Sequence, residues 1–136
     1  MLFRSERYEG MLARRREIIG RYDAALKPLG IKVLDHYTDT HTSSGHLYLT
    51  WVPGISPLQR NEIITKMAEA GIACNVHYKP LPMHTAYKNL GFDIAGYPNA
   101  YAHFANEITL PLHTNLTDEQ VAYVADNYVR ILKEYL

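Results

Sequence analysis

The sequence predicts an α+β unit, a small three- to four-stranded sheet covered by helices. Three observations predict it. Two segments carry complete capping signatures ahead of apolar stripes of helical period. Short runs rich in β-branched and aromatic residues lie between the helical stretches. No repeat, low-complexity run or linker divides the chain.

The first element is a long helix over 1–29, followed by a sheet-and-helix domain over 30–136. Tyr8, Met11, Leu12, Ile18, Ile19, Tyr22, Ala25, Leu26 and Leu29 recur at three- and four-residue steps, and Pro28 and Gly30 close the helix. "IKVLDHY" (Ile31 to Tyr37) and "HLYLTWV" (His46 to Val52) read as strands joined by a polar loop from Thr38 to Gly45. The second helix has Ser56 as N-cap, Pro57 at its first position and Gln59 completing a capping box. Ile63, Ile64, Met67 and Ala70 form its buried stripe, and Gly71 fits a left-handed end. "IACNVHY" (Ile72 to Tyr78) reads as a third strand, ended by Pro80 and Pro82. A helical turn over Thr85–Leu90, a helix begun by Pro98 and a brief extended piece, "EITLPL", come next. The last helix opens on the capping box of Thr117 and Gln120 and buries Val121, Val124, Tyr128, Ile131 and Leu132.

Composition bounds the function. With 47% hydrophobic and 21% charged residues in 136, the chain reads as one soluble globular unit. Fourteen basic residues balance fourteen acidic ones, so net charge gives no reason to expect nucleic acid or an anionic membrane. A single cysteine excludes an intramolecular disulfide. No apolar run reaches the roughly 18 residues of a membrane span, and "MLFRSERYEG" does not read as a signal peptide. A cytoplasmic location is the expectation. Arg4, Arg7, Arg14, Arg15, Arg16 and Arg21 invite a phosphate-binding reading. Interleaved Glu6, Glu9, Glu17 and Asp23 favour a solvated, internally paired helix face instead.

Chemistry concentrates in "IACNVHYKPLPMHTAY" (Ile72 to Tyr87). Cys74, His77 and His84 are zinc-type ligands, but their spacing matches no common zinc pattern and a fourth ligand is not evident. On a regular strand Cys74 and His77 also point to opposite faces, which argues against a shared metal and against a cysteine–histidine nucleophile pair. Cys74 reads as a small buried apolar residue. His77, Tyr78, Lys79 and His84 place polar groups on a proline-stiffened loop leaving the sheet, a position suited to ligand contact. The spacing names no ligand. His46 sits at a strand end, and His103 and His113 read as structural.

Four ordered segments, "RYEGMLARRREIIGRYDAAL", "SSGHLYLTWV", "RNEIITKMAEAGIACNVHYKPLPMHTAY" and "YPNAYAHFANEITLPLHTNLTDEQVAYV", resemble the C-terminal part of the DegT/DnrJ/EryC1/StrS aminotransferases. The resemblance runs from about Arg7 onward. It implies the small domain of a fold-type I enzyme that uses pyridoxal phosphate (PLP) to aminate keto sugars carried on nucleotides, for cell-surface polysaccharide. It also implies that the PLP-binding large domain, with its Schiff-base lysine, is absent from this chain. Lys27, Lys32, Lys66, Lys79, Lys88 and Lys133 lie in no such context, and no Gly-rich phosphate cradle appears.

On this resemblance no catalytic residue, cofactor-binding residue or metal ligand is assigned. PLP is expected in the intact family enzyme and none on this chain alone. His77, Tyr78, Lys79 and His84 become substrate-side contacts to the sugar or its phosphates, with a lesser role for His46 and Ser44. The expected partners are a nucleotide-sugar substrate, a PLP-binding large domain or second chain, and a further copy in a homo-oligomer. Nucleic acid and membrane are not expected. The competing reading is a stand-alone small-molecule binding module that kept the fold without transaminase activity.

Overall fold

The computed structural model describes residues 6–136; the part of the predicted first helix on residues 1–5 lies outside them. Helix α1 spans Tyr8–Leu26 and tightens into a 3₁₀ turn over Lys27–Leu29, carrying Pro28. Gly30 then adopts a left-handed φ of 76°, which a side chain would resist, and the helix stops. Strands β1 (Lys32–Val33), β2 (Tyr48–Trp51) and β3 (Glu107–Leu110) form an antiparallel sheet in that order. The register pairs Lys32 with Trp51, Trp51 with Glu107 and Tyr48 with Leu110. Helices α2 (Pro57–Glu69), α3 (Thr85–Asn89), α4 (Pro98–Ala105) and α5 (Asp118–Leu132) complete the chain.

Both predicted capping boxes form. Ser56 Oγ accepts from the Gln59 amide at 3.2 Å and Gln59 Oε1 accepts from the Ser56 amide at 2.9 Å. Thr117 and Gln120 repeat the exchange at the same two distances.

Two strand predictions change. Ile31–Tyr37 keeps only β1; Tyr37 makes an isolated bridge with Thr42. Ile72–Tyr78 is not a strand, and meets the sheet at one bridge, Asn75 with Thr109. Its amides go elsewhere. Ile72 N–H closes α2 on Met67 O, Val76 N–H is taken by Asn75 Oδ1, and His77 N–H by the Glu107 carboxylate. Local side-chain acceptors have displaced the ladder. The brief "EITLPL" segment supplies the third strand instead.

The core is a cluster drawn from α1, α2, α5 and the sheet, including Ile18, Tyr22, Ile63, Met67, Ile108, Tyr128 and Ile131. Each of the three largest buried tyrosines has a hydroxyl partner, as burial of a phenol requires. Tyr22 donates to Pro111 O at 2.9 Å and Tyr48 to Asp23 Oδ1 at 2.7 Å. Thr50 donates to Ile108 O at 2.6 Å, so its oxygen accepts from Tyr128 at 2.7 Å.

The arginines of α1 bind the protein itself. Arg14 and Arg21 both grip Asp118 at the start of α5, at 2.8 and 2.5 Å, and Arg14 also pairs with Glu17 and donates to Leu116 O. Arg16 lies over the Tyr37 ring at 4.2 Å, and Arg15 reaches Ser44 O at 3.4 Å. Among the described residues no helix is long and apolar enough to cross a membrane.

Candidate functional site: a histidine loop on the sheet edge

Strand β3 alternates its faces. Ile108 and Leu110 enter the core, while Glu107 and Thr109, two residues apart, share the other face. His77 lies against that polar pair. Its amide donates to Glu107 Oε2 at 2.8 Å, its Nδ1 sits 2.9 Å from Thr109 Oγ1, and Thr109 donates to Glu107 Oε1 at 2.5 Å. A carboxylate at 1% exposure thus anchors the loop twice, once through backbone and once through a hydroxyl.

Burial pushes the Glu107 carboxyl above its ordinary range, against the Thr109 hydroxyl, the His77 amide and the nearby Arg60 charge, which pull it down. Arg60 is itself buried. It donates to Phe104 O at 3.0 Å and to Asn61 Oδ1 at 2.8 Å, and stands 4.8 Å from the Phe104 ring centre, so α2 holds the end of α4. Burial lowers its pKa from the usual guanidinium value.

Beyond His77 the loop faces solvent. The Tyr78 ring stands edge-on to His77, centroids 4.6 Å apart, and is 71% exposed. Lys79 is exposed and forms no ion pair among the described residues. His84 is exposed, and its Nε2 donates a long bond of 3.3 Å to Lys79 O, which folds the loop on itself. His77, Tyr78, Lys79 and His84 are therefore one short loop. His46 is elsewhere. His77 meets the Glu107 end of β3, paired with Trp51, whereas His46 precedes the far end of β2, five residues and roughly 15 Å away along extended chain. The Ser44 region is fixed instead by Gly45, at φ 61°, where a Cβ would meet Ile19 Cδ1 at 3.0 Å.

Cys74 is half-buried and packs against the core, and burial pushes its thiol up to about 12. A thiol so placed is a poor nucleophile at neutral pH. Among the described residues no group of three or more His, Cys, Asp or Glu is arranged to hold a metal ion. His103 packs edge-on against Trp51 and its carbonyl accepts from Trp51 Nε1 at 3.0 Å.

From residue 78 to 105 the chain runs outside the core. Pro80, Leu81, Pro82, Tyr87, Phe92 and Tyr97 line an almost wholly apolar groove of about 440 Å³ beside the histidine loop. Glu107 and Thr109 belong to this site and are not among the residues the sequence predicts for it. Their signal was a polar pair at period two within an otherwise apolar extended run.

A Schiff-base lysine must be held against its cofactor away from water, with a carboxylate for the ring nitrogen. The lysines here do not fit that role. Lys27 is bound to Asp23 at 2.8 Å and Lys66 to Glu134 at 2.6 Å; Lys32, Lys79, Lys88 and Lys133 are exposed. Asp23, half-buried, is occupied by Tyr48 and Lys27, and the other aspartates are exposed.

A small antiparallel sheet under helices is the small-domain architecture of fold-type I PLP aminotransferases. Residues 2–129 match the DegT/DnrJ/EryC1/StrS aminotransferase family, and the chain belongs to it. In the PLP form of Spr1654 from Streptococcus pneumoniae, assigned as a sugar aminotransferase, the similarity has a TM-score of 0.95 at 52% identity, over 99% of this chain and 34% of that one. PseC of Helicobacter pylori, an aminotransferase of pseudaminic acid biosynthesis, matches with a TM-score of 0.87 at 26% identity, over 98% and 36%. The spore coat polysaccharide biosynthesis protein SpsC of Bacillus subtilis is 30% identical over 97% of this chain and 35% of its own length. The chain spans about a third of the length of the relatives it matches.

Proposed function

We propose that these residues are the small domain of a PLP-dependent aminotransferase acting on keto sugars carried on nucleotides, in cytoplasmic synthesis of cell-surface polysaccharide. The domain contributes substrate contacts and closure. PLP and its lysine come from a large domain or second chain, and the assembled enzyme is a homo-oligomer. The observation that carries this reading is the family match over residues 2–129.

The loop chemistry supports the substrate role. Lys79, which forms no ion pair among the described residues, offers an ammonium for a phosphate, and the imidazole and phenol groups beside it suit sugar hydroxyls and phosphates. Nucleotide-sugar titration by calorimetry, with and without a lysine-bearing large domain, tests it. Binding only in the assembled form is the expected result. Binding by this chain alone, unchanged on adding the large domain, overturns it in favour of a free-standing binding module. Mixed with PLP, the chain alone should show no stoichiometric Schiff-base absorbance; a defined one at a single lysine also overturns the reading.

A further inference from the structure

Two groups behind the loop, Glu107 and Thr109, contact His77 directly. We propose that Glu107 and Thr109 are positioning residues that hold neutral His77 as its Nδ1–H tautomer and leave Nε2 as a hydrogen-bond acceptor for a ligand hydroxyl. This rests on the substrate-facing reading of the loop.

The inference follows from counting hydrogens. Thr109 has one hydroxyl proton, and it goes to Glu107 Oε1. Its oxygen is then an acceptor toward His77, 2.9 Å from Nδ1, so Nδ1 must supply the proton. The other carboxylate oxygen is filled by the His77 amide, which fixes the loop backbone beside the ring it orients. Among the described residues Nε2 has no protein partner, and it is not among the buried polar atoms left without one. It therefore reaches solvent. The direction of the relay depends on Glu107 being ionised: burial raises its pKa, and the Thr109 hydroxyl, the His77 amide and the Arg60 guanidinium, which favour the anion, oppose that rise. An acceptor nitrogen of fixed direction suits a hydroxylated ligand such as a sugar better than a phosphate, which offers no proton at neutral pH.

The relay makes an inverted prediction for Glu107→Gln. The amide oxygen must take the position that receives the His77 N–H, so the amide NH₂ faces Thr109 and donates to it. The threonine proton then turns to Nδ1, and His77 becomes the Nε2–H tautomer, a donor where it had been an acceptor.

Long-range ¹H–¹⁵N spectra of histidine-labelled protein, at a pH where His77 is neutral, read this directly. The expected result is Nδ1–H in the parent and in Thr109→Ser, and Nε2–H in Glu107→Gln. Thr109→Val, which removes the relay, should relax toward the Nε2–H form favoured by free imidazole side chains. Nε2–H in the parent overturns the inference, as does an unchanged tautomer in a folded Glu107→Gln protein. If Glu107→Gln does not fold, the parent and the Thr109 pair still decide it. In the assembled enzyme, UDP-glucose as probe should bind about tenfold more weakly to Glu107→Gln than to Thr109→Ser, roughly one hydrogen bond's worth. Equal affinities overturn the acceptor role. Failure of any nucleotide sugar to bind the parent overturns the substrate reading and leaves the tautomer result standing.

Discussion

The body of the molecule and its excursion over residues 78–105 are built from similar residue types and reach opposite ends. In the body, α1, α2, α5 and the sheet bury Tyr22, Tyr48, Ile63, Ile108 and Tyr128 completely. In the excursion, Leu81, Leu90, Phe92, Tyr97 and Tyr101 remain 41 to 73% exposed, and no helix residue is buried. The body's α2 and α5 carry full capping boxes, whereas α3 and α4 have no side-chain cap. Apolar composition alone does not make a core. Partners at the right place do, and the excursion has few within this chain.

The largest expected contrast is in amide exchange. Amides of β2 and β3 should exchange only on global unfolding, and those of α3 at least about a thousandfold faster, since local opening there breaks little packing. Equal protection would break the contrast. Next, Ile108→Ala should cost about 2–5 kcal/mol in urea unfolding and Leu90→Ala no more than about 0.5 kcal/mol. Comparable losses would show that the excursion is structurally integral. Thr117→Ala, which removes one cap of the body, should cost about 1 kcal/mol.

A smaller effect is acid sensitivity of the body. His36 is 5% exposed, stacks on Tyr48, and has a buried Nε2 with no hydrogen-bond partner among the described residues. Burial lowers its pKa, and Lys27 adds to this while Asp23 and Asp35 oppose it. The folded state therefore favours neutral imidazole. This contribution is complete above the unfolded value of about 6.5 and is lost as pH falls through the lower folded value. Urea midpoints measured downward from neutral pH should fall in the parent and fall less in His36→Gln. Finally, light scattering should show concentration-dependent association, reduced by Leu90→Ser without change in the urea midpoint.

Local signals were the legible ones. Ser56 with Gln59 and Thr117 with Gln120 can be read from four residues each, because a capping box is closed within its own turn. Strand identity was less legible. Ile72–Tyr78 has good strand composition, yet Asn75 and Glu107 divert its amides, and Glu107 lies thirty residues away from His77. The loop residues 77, 78, 79 and 84 do lie together, because proximity in sequence guarantees it. What stands behind them was hidden, since Glu107 and Thr109 acquire meaning only when the fold places them under His77.

The grip of Arg14 and Arg21 on Asp118 spans about a hundred residues of chain, and α1 packs along α5. A nascent chain emerging from a ribosome therefore exposes Ile18, Ile19, Tyr22 and Leu26 long before their covering helix is synthesised. Folding of the body must therefore wait for α5.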